Sequence, residues 1–104
     1  MPRQNPLCGL VQQKNPRFRF DKPDKRKPAW EDYLYWQKTN RKILQRINTL
    51  IKEIDRNPFE GIGKPEPLKH ALSGYWSRRI NAEQRIVYKI TPNAIYIAQL
   101  RYHS

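Results

Sequence analysis

Residues Gly61–Tyr88 read GIGKPEPLKHALSGYWSRRINAEQRIVY, and the second half of this stretch decides the fold class. YWSRRI (Tyr75–Ile80) and RIVYKI (Arg85–Ile90) are rich in β-branched and aromatic residues, which suit a pleated, half-buried surface. The connector Asn81–Gln84 is short enough for a hairpin. Beyond Thr91–Asn93, AIYIAQLR (Ala94–Arg101) reads as a third strand of the same meander. Strand side chains alternate, so Trp76 and Ile80 share one face while Tyr75, Ser77 and Arg79 share the other. Arg85, Val87 and Lys89 likewise fall together. Pairing of Arg79 near Arg85 then sends two guanidiniums out from the same side of the sheet.

Upstream, the period changes from two to between three and four. Ile43, Ile47, Leu50, Ile51 and Ile54 form an apolar stripe, with Lys42, Arg46, Lys52 and Glu53 off it; this predicts a helix that ends at Asn57-Pro58. A helix over Ala29–Thr39 precedes it. Pro28 suits its start, and Glu31 and Asp32 suit the positive end of its dipole. Trp30, Tyr33, Leu34 and Gln37 fall on one face with Trp36 beside it, a stripe read as core. The two helices meet near Thr39-Asn40 as an antiparallel hairpin with one apolar side. The expected fold is α+β: that hairpin packed on a twisted antiparallel sheet, in two layers.

The N-terminal segment is of another kind. Residues 1–16 lack periodicity and are rich in Gln, Asn and Pro, which predicts disorder. RFRFD (Arg17–Asp21) alternates polar and aromatic residues and can form a short strand; KPDKRKP (Lys22–Pro28) interrupts any regular element. The latter reads as a solvated basic linker or as a phosphate-binding arm. Two regions follow: a basic, Pro-rich extension over 1–28, largely disordered apart from a strand at 17–21, and one folded domain over 29–104.

The chain has 104 residues, enough for one core. Its mean hydropathy is −0.97, so that core must be small, and the 12% aromatic content supplies much of it. A formal net charge of +12 points to a polyanionic partner. The charge is uneven: residues 1–28 hold eight Lys/Arg against two acids, 29–63 six against five, and 64–104 seven against two. The nearly neutral middle suits a scaffold, and the basic ends suit partner contacts. No apolar run approaches a membrane span, and no signal peptide is evident. Cys8 is the single cysteine, so no intrachain disulfide and no cysteine-based metal cluster can form. A cytoplasmic protein is expected.

Within the basic C-terminal part, Glu66 stands alone between Pro65 and Pro67. Prolines fix φ and lack an N–H, so Glu66 is expected in a stiff extended segment at the beginning of a strand or on an edge strand. Cleavage of an RNA backbone needs three things. The 2′-OH must lose a proton, the phosphate must have its added charge stabilised, and the 5′-oxygen must gain a proton. Glu66 can serve as the base. Arg79 and Arg85 can hold the phosphate in the bidentate way that lysine cannot, with Arg78 beside them. His103, with an ordinary pKa near ~6.5, can serve as the acid, and Lys69 adds charge close to Glu66. His70 and His103 without clustered carboxylates make a poor metal site, and neither a metal nor another cofactor is expected. Plainer readings stay open beside these. Glu66 can be an exposed loop acid, Arg78 and Arg79 a solvated strand face, His70 a local cap and His103 a frayed tail. Tyr88, Tyr96 and Tyr102 can stack on bases or belong to the core.

Trp30-Glu-Asp-Tyr-Leu-Tyr-Trp36, Pro58-Phe-Glu-Gly61, Gly63-Lys-Pro-Glu-Pro-Leu-Lys69, Leu72-Ser-Gly74, Trp76-Ser-Arg-Arg-Ile80, Arg85-Ile-Val-Tyr88 and Arg101-Tyr-His103 together resemble the YoeB/Txe-type toxins. These are a branch of the RelE/ParE superfamily of bacterial toxin–antitoxin modules. The resemblance runs colinearly from about Trp30 to His103. It implies a two-helix, antiparallel-sheet fold and a metal-independent endonuclease that cuts mRNA in the A site of the 70S ribosome by 2′-OH attack. The family's base falls on Glu66, its phosphate-binding arginine on Arg85 and its acid on His103. RNA contacts fall on Lys69 and Arg79, with Arg78 and Ser104 grouped beside them. The implied partner is a YefM/Phd-type antitoxin with an acidic tail, operator DNA being reached only through it, and a weak homodimer is expected. The alternative is a non-catalytic member of the same fold that binds RNA or the ribosome, or inhibits gyrase.

Three departures stand out. Ser104 replaces the family's terminal tyrosine, from which slower cleavage is expected. Gln84 replaces a usual histidine. The family's first strand normally runs straight into the first helix, whereas here KPDKRKP intervenes and Arg17–Asp21 can supply the strand through a longer loop.

Overall fold

The computed structural model describes residues 18–20 and 28–102. The expectations for residues 1–17 and 21–27, and those placed on His103 and Ser104, lie outside the described residues. Among the described residues no helix is long and apolar enough to cross a membrane.

Strand β1 (Phe18–Phe20) comes first, followed by α1 (Ala29–Thr39), α2 (Arg41–Arg56), β2 (Glu66–Pro67), a 3₁₀ turn at His70–Leu72, β3 (Trp76–Arg79), β4 (Arg85–Ile90) and β5 (Ile95–Tyr102). The strand order across the five-stranded sheet is β1-β5-β4-β3-β2. β2 through β5 form the expected antiparallel ladder. β1 departs from it by lying parallel to β5, Phe18 opposite Ile95 and Phe20 opposite Ile97. The sheet is therefore mixed. A parallel neighbour needs a long connection, and here the chain runs through the helical hairpin and then β2–β4 before reaching β5.

One residue makes that hairpin sharp. Asn40 ends α1, donating its backbone N–H to the Trp36 carbonyl at 2.9 Å, and also begins α2. Its Oδ1 accepts from the N–H groups of Lys42 and Ile43 at 3.1 and 3.2 Å, satisfying two donors that a helix start leaves open.

α2 buries Leu44, Ile47, Leu50, Ile51 and Ile54, with Ile43 half-buried at the margin of the stripe. α1 buries Ala29, Tyr33 and Trp36, and this corrects the sequence expectation: Trp30 is 40% exposed. The contact line runs one position off the expected stripe, because small Ala29 makes the close approach. Trp36 anchors the other end by donating its Nε1–H to the Leu100 carbonyl at 2.8 Å.

That anchor explains a feature of β5. Its register against β4 shifts on either side of Val87, where extra β5 residues bulge. A bulge leaves backbone groups without ladder partners. Asp32 accepts from the Leu100 N–H at 2.9 Å and Trp36 donates to its carbonyl, so α1 satisfies the orphaned peptide groups and is fixed to the sheet by them. The helix-facing layer is completed by Phe18, Ile80, Ile86, Tyr88, Ile95, Ile97 and Leu100.

Candidate functional site

The segment between α2 and β3 holds the site, and one buried cation shapes it. Arg78 is fully buried. Its Nε–H donates to the Tyr88 hydroxyl at 3.1 Å, Nη1 to the Ile62 carbonyl at 3.2 Å, and Nη2 to the carbonyls of Glu60, at 2.8 Å, and Asn57. The Tyr88 hydroxyl in turn donates to the Pro58 carbonyl at 2.8 Å. Burial raises the Tyr88 pKa above its ordinary value, partly offset by the hydrogen bond and charge of Arg78. The carbonyls of residues 57–62 are thus gathered around one guanidinium.

This corrects the grouping of Arg78 with the RNA contacts. Arg78 shares the helix-facing side of β3 with Trp76 and Ile80, and alternation sends only Arg79 outward. Its cation is consumed in holding the loop.

The loop then turns tightly against the sheet. Gly63 has φ +85°, and a Cβ there would lie 3.0 Å from the Arg78 Cβ and 3.2 Å from the Arg79 carbonyl. The Gly63 carbonyl accepts from the Arg79 N–H at 2.6 Å. Lys64 follows at φ 52°, a left-handed conformation that few residues other than glycine adopt. The chain emerges as Pro65-Glu66-Pro67, and Glu66 and Pro67 form the edge strand expected for them. Proline is tolerated there because an edge position need not donate.

Register brings the site together. Glu66 lies opposite Ser77, Ser77 opposite Val87, and Arg79 opposite Arg85. The Arg79–Arg85 pairing is the one the sequence suggested. Cross-strand partners share a face, so Glu66, Ser77, Arg79 and Arg85 stand on the side of the sheet away from the helices. Glu66 Oε1 and Arg85 Nη1 form an ion pair at 2.8 Å, the arginine side chain 14% exposed and the carboxylate 53%. Arg85 Nη1 also donates to the Ser77 hydroxyl at 3.1 Å. Ser77 is the member that sequence reasoning passed over. The signal lay in its position on the Arg79 face, one strand from Glu66.

The other predicted residues distribute as follows. Lys69 is exposed just beyond β2, at the head of the 3₁₀ turn. His70 is exposed at φ 60°. Tyr88 is core, whereas Tyr96 and Tyr102 are half-buried. Tyr102 pairs with Arg85, so the described chain ends beside the ion pair. His103 and Ser104 follow it in sequence.

An exposed carboxylate, a partly sheltered guanidinium and the exposed Arg79 on the face away from the helices, with Lys69 exposed just beyond β2, can bind a phosphodiester and take a proton from a neighbouring hydroxyl. Comparisons with known proteins place the chain in a family. Residues 26–104 match the family described as YoeB-like toxin of bacterial type II toxin-antitoxin system. Toxin YoeB of Escherichia coli (strain K12) is 60% identical over 75 residues, which cover 72% of this chain and 89% of that one. Among solved structures, the YoeB dimer from Staphylococcus aureus is 55% identical with a TM-score of 0.69, covering 73% of this chain and 88% of that one. The YoeB–YefM complex from the same organism is 56% identical with a TM-score of 0.68 over the same shares.

Proposed function

The chain belongs to the YoeB-like toxins of bacterial type II toxin–antitoxin systems, and from that premise we propose that it is a ribosome-dependent mRNA endonuclease in which Glu66 is the base. The observation that carries the reading is the Glu66–Arg85 pair, 2.8 Å apart on the open face of the sheet. In the free protein each group holds the other. An RNA phosphate competes for Arg85, because guanidinium donates to phosphate oxygens as readily as to carboxylate oxygens. The carboxylate released in this way takes the 2′-OH proton of the nucleotide on the 5′ side.

The 2′-oxygen then attacks the adjacent phosphorus, and the P–O5′ bond breaks. The products are a 2′,3′-cyclic phosphate and a 5′-OH, the latter completed by a proton that we assign to His103. Arg85 and Arg79 stabilise the charge that builds on the phosphate, and Lys69 extends the positive field to the neighbouring strand. Ser77 positions Arg85 through its hydroxyl. The requirement for the ribosome is what the family resemblance implies, and an inhibitory YefM-type antitoxin and a homodimer are proposed by analogy with the solved relatives.

The test is a translation reaction on purified ribosomes with a defined mRNA, mapping the cut ends. Glu66→Gln should lose about 10²–10⁴-fold in cleavage rate while the folded variant still binds ribosomes. Intact mRNA from folded wild-type protein, or a Glu66→Gln variant that cuts at the wild-type rate, refutes the assignment.

A further inference from the structure

The ion pair occupies one end of the open face, and the rest of that face is also furnished. Arg85, Val87 and Lys89 alternate along the same side of β4. At the far end Lys89 Nζ lies 5.1 Å from the centre of the Tyr75 ring and 5.6 Å from that of Tyr96, its register partner. All three side chains are half-buried. Between the two ends the floor is Ser77, Val87 and Gln99, in register across three strands. Gln99 is 7% exposed, and its Nε2 is buried with no hydrogen-bond partner among the described residues. Native structures keep few such groups, and each calls for an acceptor.

We propose that Gln99, Lys89 and the Tyr75–Tyr96 pair form a subsite for a nucleotide flanking the cleaved bond. The inference rests on the endonuclease reading and extends it. Single-stranded RNA would run along β4 from Arg85 to Lys89, four residues and therefore about 13 Å. Lys89 takes a backbone phosphate, a tyrosine ring takes the base, and Gln99 donates to an oxygen of the nucleotide between them. A cation held against two aromatic rings is already ordered and partly stripped of water, so little freedom is lost when a phosphate arrives. Aromatic stacking beside a cation is how proteins grip single-stranded nucleic acid without reading its sequence. An acidic peptide could pair with Lys89 and accept from Gln99 but has no planar base to stack on the rings beside the cation, so RNA is the occupant the chemistry favours.

The experiment uses the full chain carrying Glu66→Gln, which keeps RNA intact. Binding of a labelled single-stranded oligoribonucleotide is followed by anisotropy across a salt series, beside a set of oligomers with one abasic nucleotide moved along the chain. Lys89→Ala should weaken binding and lower the salt slope by about one. Tyr96→Leu should cost roughly tenfold on base-containing RNA and nothing on the oligomer abasic at the subsite. Gln99→Leu should weaken binding while raising the melting temperature, a combination that a purely structural glutamine would not give. Binding within twofold of the parent for all three variants overturns the proposal, as does a parent that binds no RNA. Loss of affinity confined to an acidic peptide, with RNA unaffected, reassigns the surface to the antitoxin. Failure of ribosomal cleavage by the wild-type protein would count against Glu66 as base without touching these binding results.

Discussion

Replacing Arg78 by methionine is the sharpest test of how this fold holds its site. The guanidinium donates four hydrogen bonds, three to loop carbonyls and one to Tyr88. Hydrogen bonds from charged groups contribute about 1.5–3 kcal/mol each when measured singly, but two effects reduce the sum. Methionine of similar volume removes the cost of burying a charge, and the carbonyls of Asn57, Glu60 and Ile62 belong to exposed residues that water can reach. A net loss of about 2–4 kcal/mol is expected, below the ~3–5 kcal/mol typical of breaking a buried ion pair. For a small domain this lowers the melting temperature by roughly 10–25 °C and the urea midpoint by about 1–3 M. Arg79→Met, one residue away and exposed, is the control and should stay within ~0.5 kcal/mol. Tyr88→Phe should be coupled to Arg78→Met by about 0.5 kcal/mol or more in a double-mutant cycle. Equal stability of the Arg78 and Arg79 variants would refute the claim that Arg78 secures the loop. Arg78→Met should also slow the proposed mRNA cleavage well below its melting point, because the loop it holds delivers Glu66.

Two further perturbations test other parts of the account. Phe18→Ala removes a 1%-exposed ring from the core and should cost about 3–5 kcal/mol in urea unfolding; a loss under ~1 kcal/mol would mean that β1 is not part of the cooperative structure. Stability should fall at alkaline pH. Burial raises the pKa of both Tyr33 and Tyr88 above the ordinary 10.0, opposed by the hydrogen bond of Tyr33 with Asn48 and by the hydrogen bond and charge of Arg78 at Tyr88, so the native state holds its phenolic protons longer than the unfolded chain does. Their contribution is complete below pH 10 and is lost as pH rises through the native values. Spectrophotometric titration should find two tyrosines that ionise only as the protein unfolds, and normal titration of all six would contradict their burial.

The sequence carried the helices and the meander because each obeys one period over enough residues to be unambiguous. Thus α1 has the expected bounds, and the Arg79–Arg85 pairing follows from hairpin length. What escaped was set by contacts between distant segments. Helical period alone cannot say which side of a helix meets the sheet when aromatics surround it, so it points Trp30 toward the core although Ala29 makes the approach. A strand preceded by a basic linker gives no sign of its partner, and β1 turned out parallel to β5. The bulges in β5 are equally silent in sequence, since what permits them is a carboxylate and an indole on α1, more than sixty residues earlier.

Arg78 and Arg79 show why the candidate site was only partly legible. Composition treats them as one basic cluster, and the chemistry of phosphate binding welcomes both. Strand alternation forces them apart: one faces the helices, where no cation is tolerated without partners, and the other faces the open side. The sequence must therefore answer an inward arginine with acceptors, and it does so with the carbonyls of the loop that runs toward Glu66. The same alternation that turns Arg79 outward beside Arg85 thus makes Arg78 the clamp on the segment carrying the proposed base. Placement of the proposed base and placement of the proposed phosphate-binding cation are two consequences of one strand's register. A slip of that strand by one residue would reverse both arginines at once, which is why the turn at Gly63 and the Gly63–Arg79 hydrogen bond matter to the site as much as the residues within it.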